Sequence, residues 1–233
     1  MKESLNFTLY EVFGYLMPGL ITAAALTIFL WAIFHGNSVL PLSLWRVSTS
    51  GVLAMLFVAY VLGHVVQALA NRVLKGADER VMSDQNPAAL AAKRRLARLS
   101  EETTAKMSDI WQQRVMDEYC IQAGQQGDRE IFTYREGFYR GSTVALITFC
   151  AGLAVCIFAG NLRLLIGDAV VAPSRYELAV ILVIAALAAK GMYRRFQRFS
   201  EYRVARIIAA FIALTERHTL VGKPGAPPAT HSH

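Results

Sequence analysis

The chain has 233 residues, of which 55% are hydrophobic and 18% charged, and its mean hydropathy of +0.36 is too apolar for an ordinary soluble domain. A net charge of +7 is then explained first by membrane topology and anionic headgroups, not by nucleic acid, whose direct binding is not expected. Three cysteines exclude a disulfide framework.

The first apolar run, Phe13 to Phe34, carries no charge. At about 1.5 Å rise per residue it reaches the roughly 30 Å of a bilayer's hydrocarbon core. It exceeds the roughly 7 to 15 apolar residues of a cleaved leader, and no clean small-x-small site follows, so it reads as an anchor. Pro18 removes a backbone hydrogen bond near the entry, which makes Gly14, Pro18 and Gly19 a candidate hinge. The competing reading is tight packing, with Gly19 and Ala23 as a small-x-x-x-small pair.

The second run, Val47 to Ala70, contains His64 and Gln67 as its strongly polar groups. Tyr60, His64, Gln67 and Asn71 follow one another at steps of three or four residues and share one helix face. Polar groups in hydrocarbon face a bundle interior, a neighbouring chain or a water-filled path. Two readings compete: an interhelical hydrogen-bond seam, and a polar lining or sensing site in which His64 changes charge between about pH 5 and 8. No second histidine stands at ligand spacing, so neither a metal nor a cofactor is expected.

Between the second and third runs lies a charged insert with twelve Lys or Arg and eleven Asp or Glu over residues 71–141. Asn86-Pro87 opens a helix through Leu99, with Asn as N-cap. A second helix is expected from Glu101 to Gln122, with Met107, Ile110, Trp111, Val115 and Met116 on related faces. The stretch Gly124-Gln-Gln-Gly127 ends it, and Asp128 to Arg140 reads as a helix feeding the third run. Too short and polar for an enzyme domain, the insert fits a helical hairpin that packs on itself, on a second copy or on a soluble partner. Its cluster Lys93, Arg94, Arg95, Arg98 is read either as a phosphate or partner contact or as the solvated face of a helix.

The third run is uncharged from Gly141 to Leu162. Cys150 and Cys156 fall on different helix faces within it, and Gly152, Cys156 and Gly160 permit close helix approach. The fourth, Leu178 to Ala189, spans only if Glu177 and Lys190 sit at the two interfaces. Beyond it, Arg194, Arg195 and Arg198 interleave with Tyr193, Phe196 and Phe199, as an anchor against anionic lipid or a partner would. Val204, Ile207, Ile208, Phe211 and Ile212 then form an amphipathic stripe, lying on the bilayer or packing on another helix.

The connections between runs one and two and between three and four are poor in Lys and Arg, whereas the insert and the C-terminal segment are rich in both. The positive-inside rule therefore places both termini and the insert in the cytoplasm, which requires an even number of spans. No Walker loop, Gly-x-Ser-x-Gly, His-Glu-x-x-His or Cys-x-x-Cys occurs, so an enzyme is not expected.

The N-terminal Gly14-Tyr-Leu-Met-Pro18-Gly19 resembles the opening of small four-span bacterial inner-membrane proteins with a Gly-Tyr-x-x-Pro-Gly first span. Some of these are similar to membrane subunits of anti-phage systems. The resemblance implies two helical pairs and a charged helical insert, and carries over no functional residue.

The expected fold is all-α and polytopic, with four transmembrane helices in two hairpins. Transmembrane helices 1 and 2 fall in 1–70, a cytoplasmic helical insert in 71–141 and transmembrane helices 3 and 4 in 142–193. A basic amphipathic cytoplasmic helix occupies 194–222 and a flexible tail 223–233. The expected function is an oligomeric inner-membrane sensor or membrane-perturbing effector subunit of a bacterial defence system. The alternative is a membrane scaffold whose insert recruits a soluble protein. Anionic lipid, a second copy of the chain and a soluble cytoplasmic protein are the expected partners.

Overall fold

A computed structural model describes residues 2–34, 39–41, 48–76, 78–99, 108–124, 127–159, 162–166 and 169–221. The chain is mostly helical. Among the described residues the helices are α1 (Lys2–Phe34), α2 (Thr49–Val73), α3 (Asp78–Val81), α4 (Pro87–Leu99), α5 (Asp109–Gln122), α6 (Gly127–Ala159) and α7 (Arg175–Val221). The start of the second insert helix at Glu101, Gly160 and the tail from 223 lie outside the described residues.

Among the described residues, four helices are long and apolar enough to cross a membrane: Gly14–Phe34, Thr49–Val73, Thr133–Phe158 and Arg175–Arg217. Three threonine hydroxyls on these helices are satisfied locally. The hydroxyls of Thr22, Thr143 and Thr148 donate to the carbonyls of Pro18, Tyr139 and Val144 four residues back, at 2.7 to 3.0 Å, which removes the cost of an unpaired hydroxyl in hydrocarbon. Ser48 caps α2 by accepting from the Gly51 N–H at 3.2 Å. Asn86 caps α4 by accepting from the Ala88 N–H at 3.1 Å, and Pro87 follows at the first helical position. A capping box opens α7. The Glu177 carboxylate accepts from the Ser174 N–H at 2.7 Å, and Ser174 Oγ accepts from the Glu177 N–H at 3.3 Å.

The chain divides into two compact units, Met1–Lys75 with Thr133–Phe199, and Gly76–Phe132 with Ser200–His233. The first holds all of α2 and the apolar lengths of α1, α6 and α7. Ala32, Leu153, Cys156, Leu162 and Leu178 form one core cluster there, and Val66, Ala70, Val144 and Ala145 another. Outside these seams the helices present apolar side chains outward, Phe57, Val61, Val65, Val183, Ile184 and Leu187 among them.

The first unit also carries a small sheet that the sequence reading does not anticipate. β1 (Leu40–Pro41) pairs parallel with β2 (Leu164–Ile166), and β2 pairs antiparallel with β3 (Ala169–Val171). Strands this short carry no readable periodicity. Pro41, which lacks an N–H, sits on the edge strand where that loss is tolerated.

In the second unit Met82, Leu96, Met116, Cys120, Val204, Ile207, Ile208 and Phe211 bury one another. The stripe on α7 thus packs on α4 and α5, the second of its two readings. α7 itself runs unbroken through residue 194 and supplies side chains to the cores of both units. On α5 the buried residues are Gln112, Gln113, Met116 and Cys120, while Ile110 and Trp111 are exposed.

Candidate functional site

The polar residues of α2 diverge. A close crossing of α1 and α2 sets the geometry. A Cβ placed on Gly63 would fall on the Tyr15 carbonyl, and one placed on Gly19 would fall on the Ala59 carbonyl and lie 2.9 Å from the Gly63 nitrogen. Gly19 with Ala59 and Gly63 with Tyr15 therefore let the two backbones meet without side chains between them. At that crossing the Tyr15 ring stacks on the His64 imidazole, with centroids 3.9 Å apart and planes 18° from parallel. The Tyr60 ring meets the imidazole edge-on at 4.6 Å and Tyr15 at 6.0 Å. His64 and Tyr60 stay exposed on the surface of the unit, and Tyr15 is half-buried.

Gln67 turns the other way, onto α6. A Cβ on Gly137 would lie 2.9 Å from its Nε2, and one on Gly141 would overlap its Oε1. The two glycines form a notch that the amide fills, with Pro18 Cγ 3.5 Å from the Gly141 Cβ position. Gln67 Oε1 is buried, with no hydrogen-bond partner among the described residues. Asn71 is exposed. The four-residue stripe is thus an aromatic–imidazole cluster plus a wedge, not one continuous lining within a single chain.

Of the candidate hinge, Gly14 has open space around it, Pro18 is fully buried and Gly19 is locked against α2. Gly152 approaches α1 in the same manner, its Cβ position 3.1 Å from the Ala25 carbonyl oxygen.

The basic cluster on α4 splits as well. Lys93 Nζ donates to Asp109 at 2.7 Å and to Asp84 at 2.8 Å. Burial pulls the Lys93 pKa down, but those bonds and the two negative charges outweigh it and hold it above the ordinary lysine value. Arg95 donates to the Ile212 carbonyl at 3.0 Å, to Thr215 Oγ1 at 3.2 Å and to Glu216 at 2.7 Å. Both are cross-links of the second unit, while Arg94 and Arg98 are exposed. Asp78 accepts from Arg203 at 2.9 Å and Arg80 pairs with Glu201, tying α3 to α7.

On α7, Arg194, Arg195 and Arg198 are exposed, and Arg195 lies over the Tyr139 ring of α6 at 6.0 Å. Tyr15, Gly63, Arg135 and Tyr139 are the participants that sequence reasoning missed as site residues. Each needs a partner far along the chain to stand out. Among the described residues no three His, Cys, Asp or Glu are gathered as a metal would require.

No protein-family model, curated protein or solved structure matches this chain.

Proposed function

We propose that the protein is a subunit of a homo-oligomeric sensor or membrane-perturbing effector in a bacterial inner membrane, working in a defence system. One observation carries this: His64, on a helix long enough to span, stacks on Tyr15 yet stays exposed on the surface of its unit. An imidazole facing hydrocarbon is costly, and a second copy of the chain, or water enclosed between copies, relieves that cost. The bacterial defence context comes from the Gly-Tyr-x-x-Pro-Gly resemblance.

Orientation with both termini and the insert in the cytoplasm is supported by the cations at one end of the first unit. Arg72 stands in the last turn of α2 and Lys75 follows it, Arg135 and Arg140 precede the charge-free length of α6, and Arg194 and Arg195 follow that of α7. The Gln197 amide donates to the Lys75 carbonyl at 3.0 Å, which puts the ends of α2 and of the apolar length of α7 at one level.

The test is conductance and dye leakage on induced expression, wild type beside the His64→Leu, Gln67→Leu double substitution. Leakage lost in the double variant at equal membrane level is the expected result. Equal leakage from both chains sinks the reading.

A second reading, a scaffold that recruits a soluble protein, is favoured by Leu99, Ile110 and Trp111, which are exposed on the second unit, as Arg94 and Arg98 are. Arg94→Glu with Arg98→Glu would then abolish recruitment while the α2 substitutions are mild.

A further inference from the structure

The arginines at the ends of α6 and α7 are arranged by a reciprocal pattern. α6 carries Arg135 and Tyr139 four residues apart, and α7 carries Arg195 and Phe199 four residues apart. The helices pair these crosswise. Arg135 lies over Phe199 at 5.8 Å, Arg195 lies over Tyr139 at 6.0 Å, and the two rings stack on each other at 5.3 Å with planes 10° apart. A guanidinium packed on a ring keeps its N–H edge available for an anion, and its low rotational freedom reduces the entropy lost on binding. Beside them Arg140 lies over Phe196 at 5.6 Å, and its Nη1 is 3.7 Å from the buried Glu136 carboxylate. Among the described residues neither Arg135 nor Arg195 is ion-paired to a carboxylate, and both are exposed.

Depth identifies the ligand. The charge-free stretches begin at Gly141 on α6 and end at Ala189 on α7. Six further residues on each helix put Arg135 and Arg195 about 9 Å beyond the hydrocarbon edge, just outside a headgroup layer roughly 5 to 8 Å deep. The long side chains reach back into that layer. We propose that Arg135 and Arg195, held by the Tyr139–Phe199 stack, form a binding site for the phosphodiester of an anionic phospholipid. The rings serve as the rigid platform. This site is independent of His64 and of any leakage activity.

The test uses the purified full chain in detergent micelles, titrated with phosphatidylglycerol or phosphatidylcholine and read by native mass spectrometry. Each cation near a membrane surface is worth about a fivefold change in association, so Arg135→Gln with Arg195→Gln is expected to weaken phosphatidylglycerol retention about 30-fold. Arg114→Gln with Arg217→Gln, both exposed in the second unit, is expected to leave it unchanged. Should the glutamine pair fail to fold, Arg135→Lys with Arg195→Lys keeps the charge but loses the planar fork, and an about fivefold loss is expected. Unchanged phosphatidylglycerol retention in the folded variant overturns the proposal, as does equal retention of phosphatidylcholine by the wild type. Competition by millimolar inorganic phosphate also overturns it, because the site would then serve a soluble phosphate.

Discussion

Lys93 shows how far a single side chain can depart from what its neighbours in sequence suggest. It stands in a run of four cations on α4, yet its ammonium is bonded to Asp84 and Asp109, and its side chain is only 14% exposed. Both carboxylates are more exposed than the ammonium, so solvent screens the pairs and each is worth about 1 kcal/mol or less. The sign of the pH dependence is fixed by the raised Lys93 pKa. The folded state favours the protonated ammonium, so this stabilisation is fully present below the ordinary lysine range. It is lost as pH rises through the elevated value. Urea unfolding of the second unit should therefore show a wild-type advantage over Lys93→Met that is constant through neutral pH and shrinks only at strongly alkaline pH. An advantage that vanished near pH 7 would contradict this assignment. The aspartates that hold Lys93 lie 9 and 16 residues away, beyond the reach of any helix-face rule. That is why the sequence leaves the cluster ambiguous between partner contact and solvated face.

At the scale of the helix, what a residue type permits depends on what lies opposite, and the glycines separate into three cases. Gly19 and Gly63 face backbone carbonyls across the α1–α2 crossing, Gly141 faces the tip of the flexible Gln67 side chain, and Gly14 faces nothing within 4 Å. A backbone cannot swing aside, so Gly63→Ala should force the helices apart at a cost of about 1 to 3 kcal/mol, as overpacked cores do. Gly141→Ala asks only that Gln67 move and should cost less. Gly14→Ala gains helix propensity without a clash and should be neutral or stabilising. Reversible unfolding in mixed micelles measures the order, and a Gly14→Ala as damaging as Gly63→Ala would reverse this account and revive the hinge. Hydropathy marks the four long helices in the sequence because apolarity over about 20 residues is a local property. Periodicity likewise marks Val204, Ile207, Ile208 and Phe211. The reciprocal fit of Gly19 to Ala59 and Gly63 to Tyr15 is not local, and the sequence reading paired Gly19 with Ala23 on its own helix instead. Tyr15 as the partner of His64 escaped for the same reason, since one tyrosine on an apolar helix carries no mark of the ring it will stack on.

Across the molecule, the two units draw on separate cores even though α7 contributes to both. Leu178 belongs to one core, whereas Val204, Ile207, Ile208 and Phe211 belong to the other. Phe211 is fully buried, and its ring meets Tyr119 edge-on at 5.4 Å. Phe211→Ala removes that ring and leaves a cavity, a change that costs about 3 to 5 kcal/mol in a packed interior. A unit built on so few large side chains has little stability to lose, and a chain with two cores need not unfold in one step. Hydrogen exchange in detergent should therefore show the amides of α4, α5 and residues 204–217 exchanging faster in Phe211→Ala, with those of 14–34 and 49–73 unchanged. Faster exchange in all of these segments together would mean that the continuous helix makes one cooperative structure of the two. Exchange confined to the second unit would establish that it can loosen while the apolar helices stay folded.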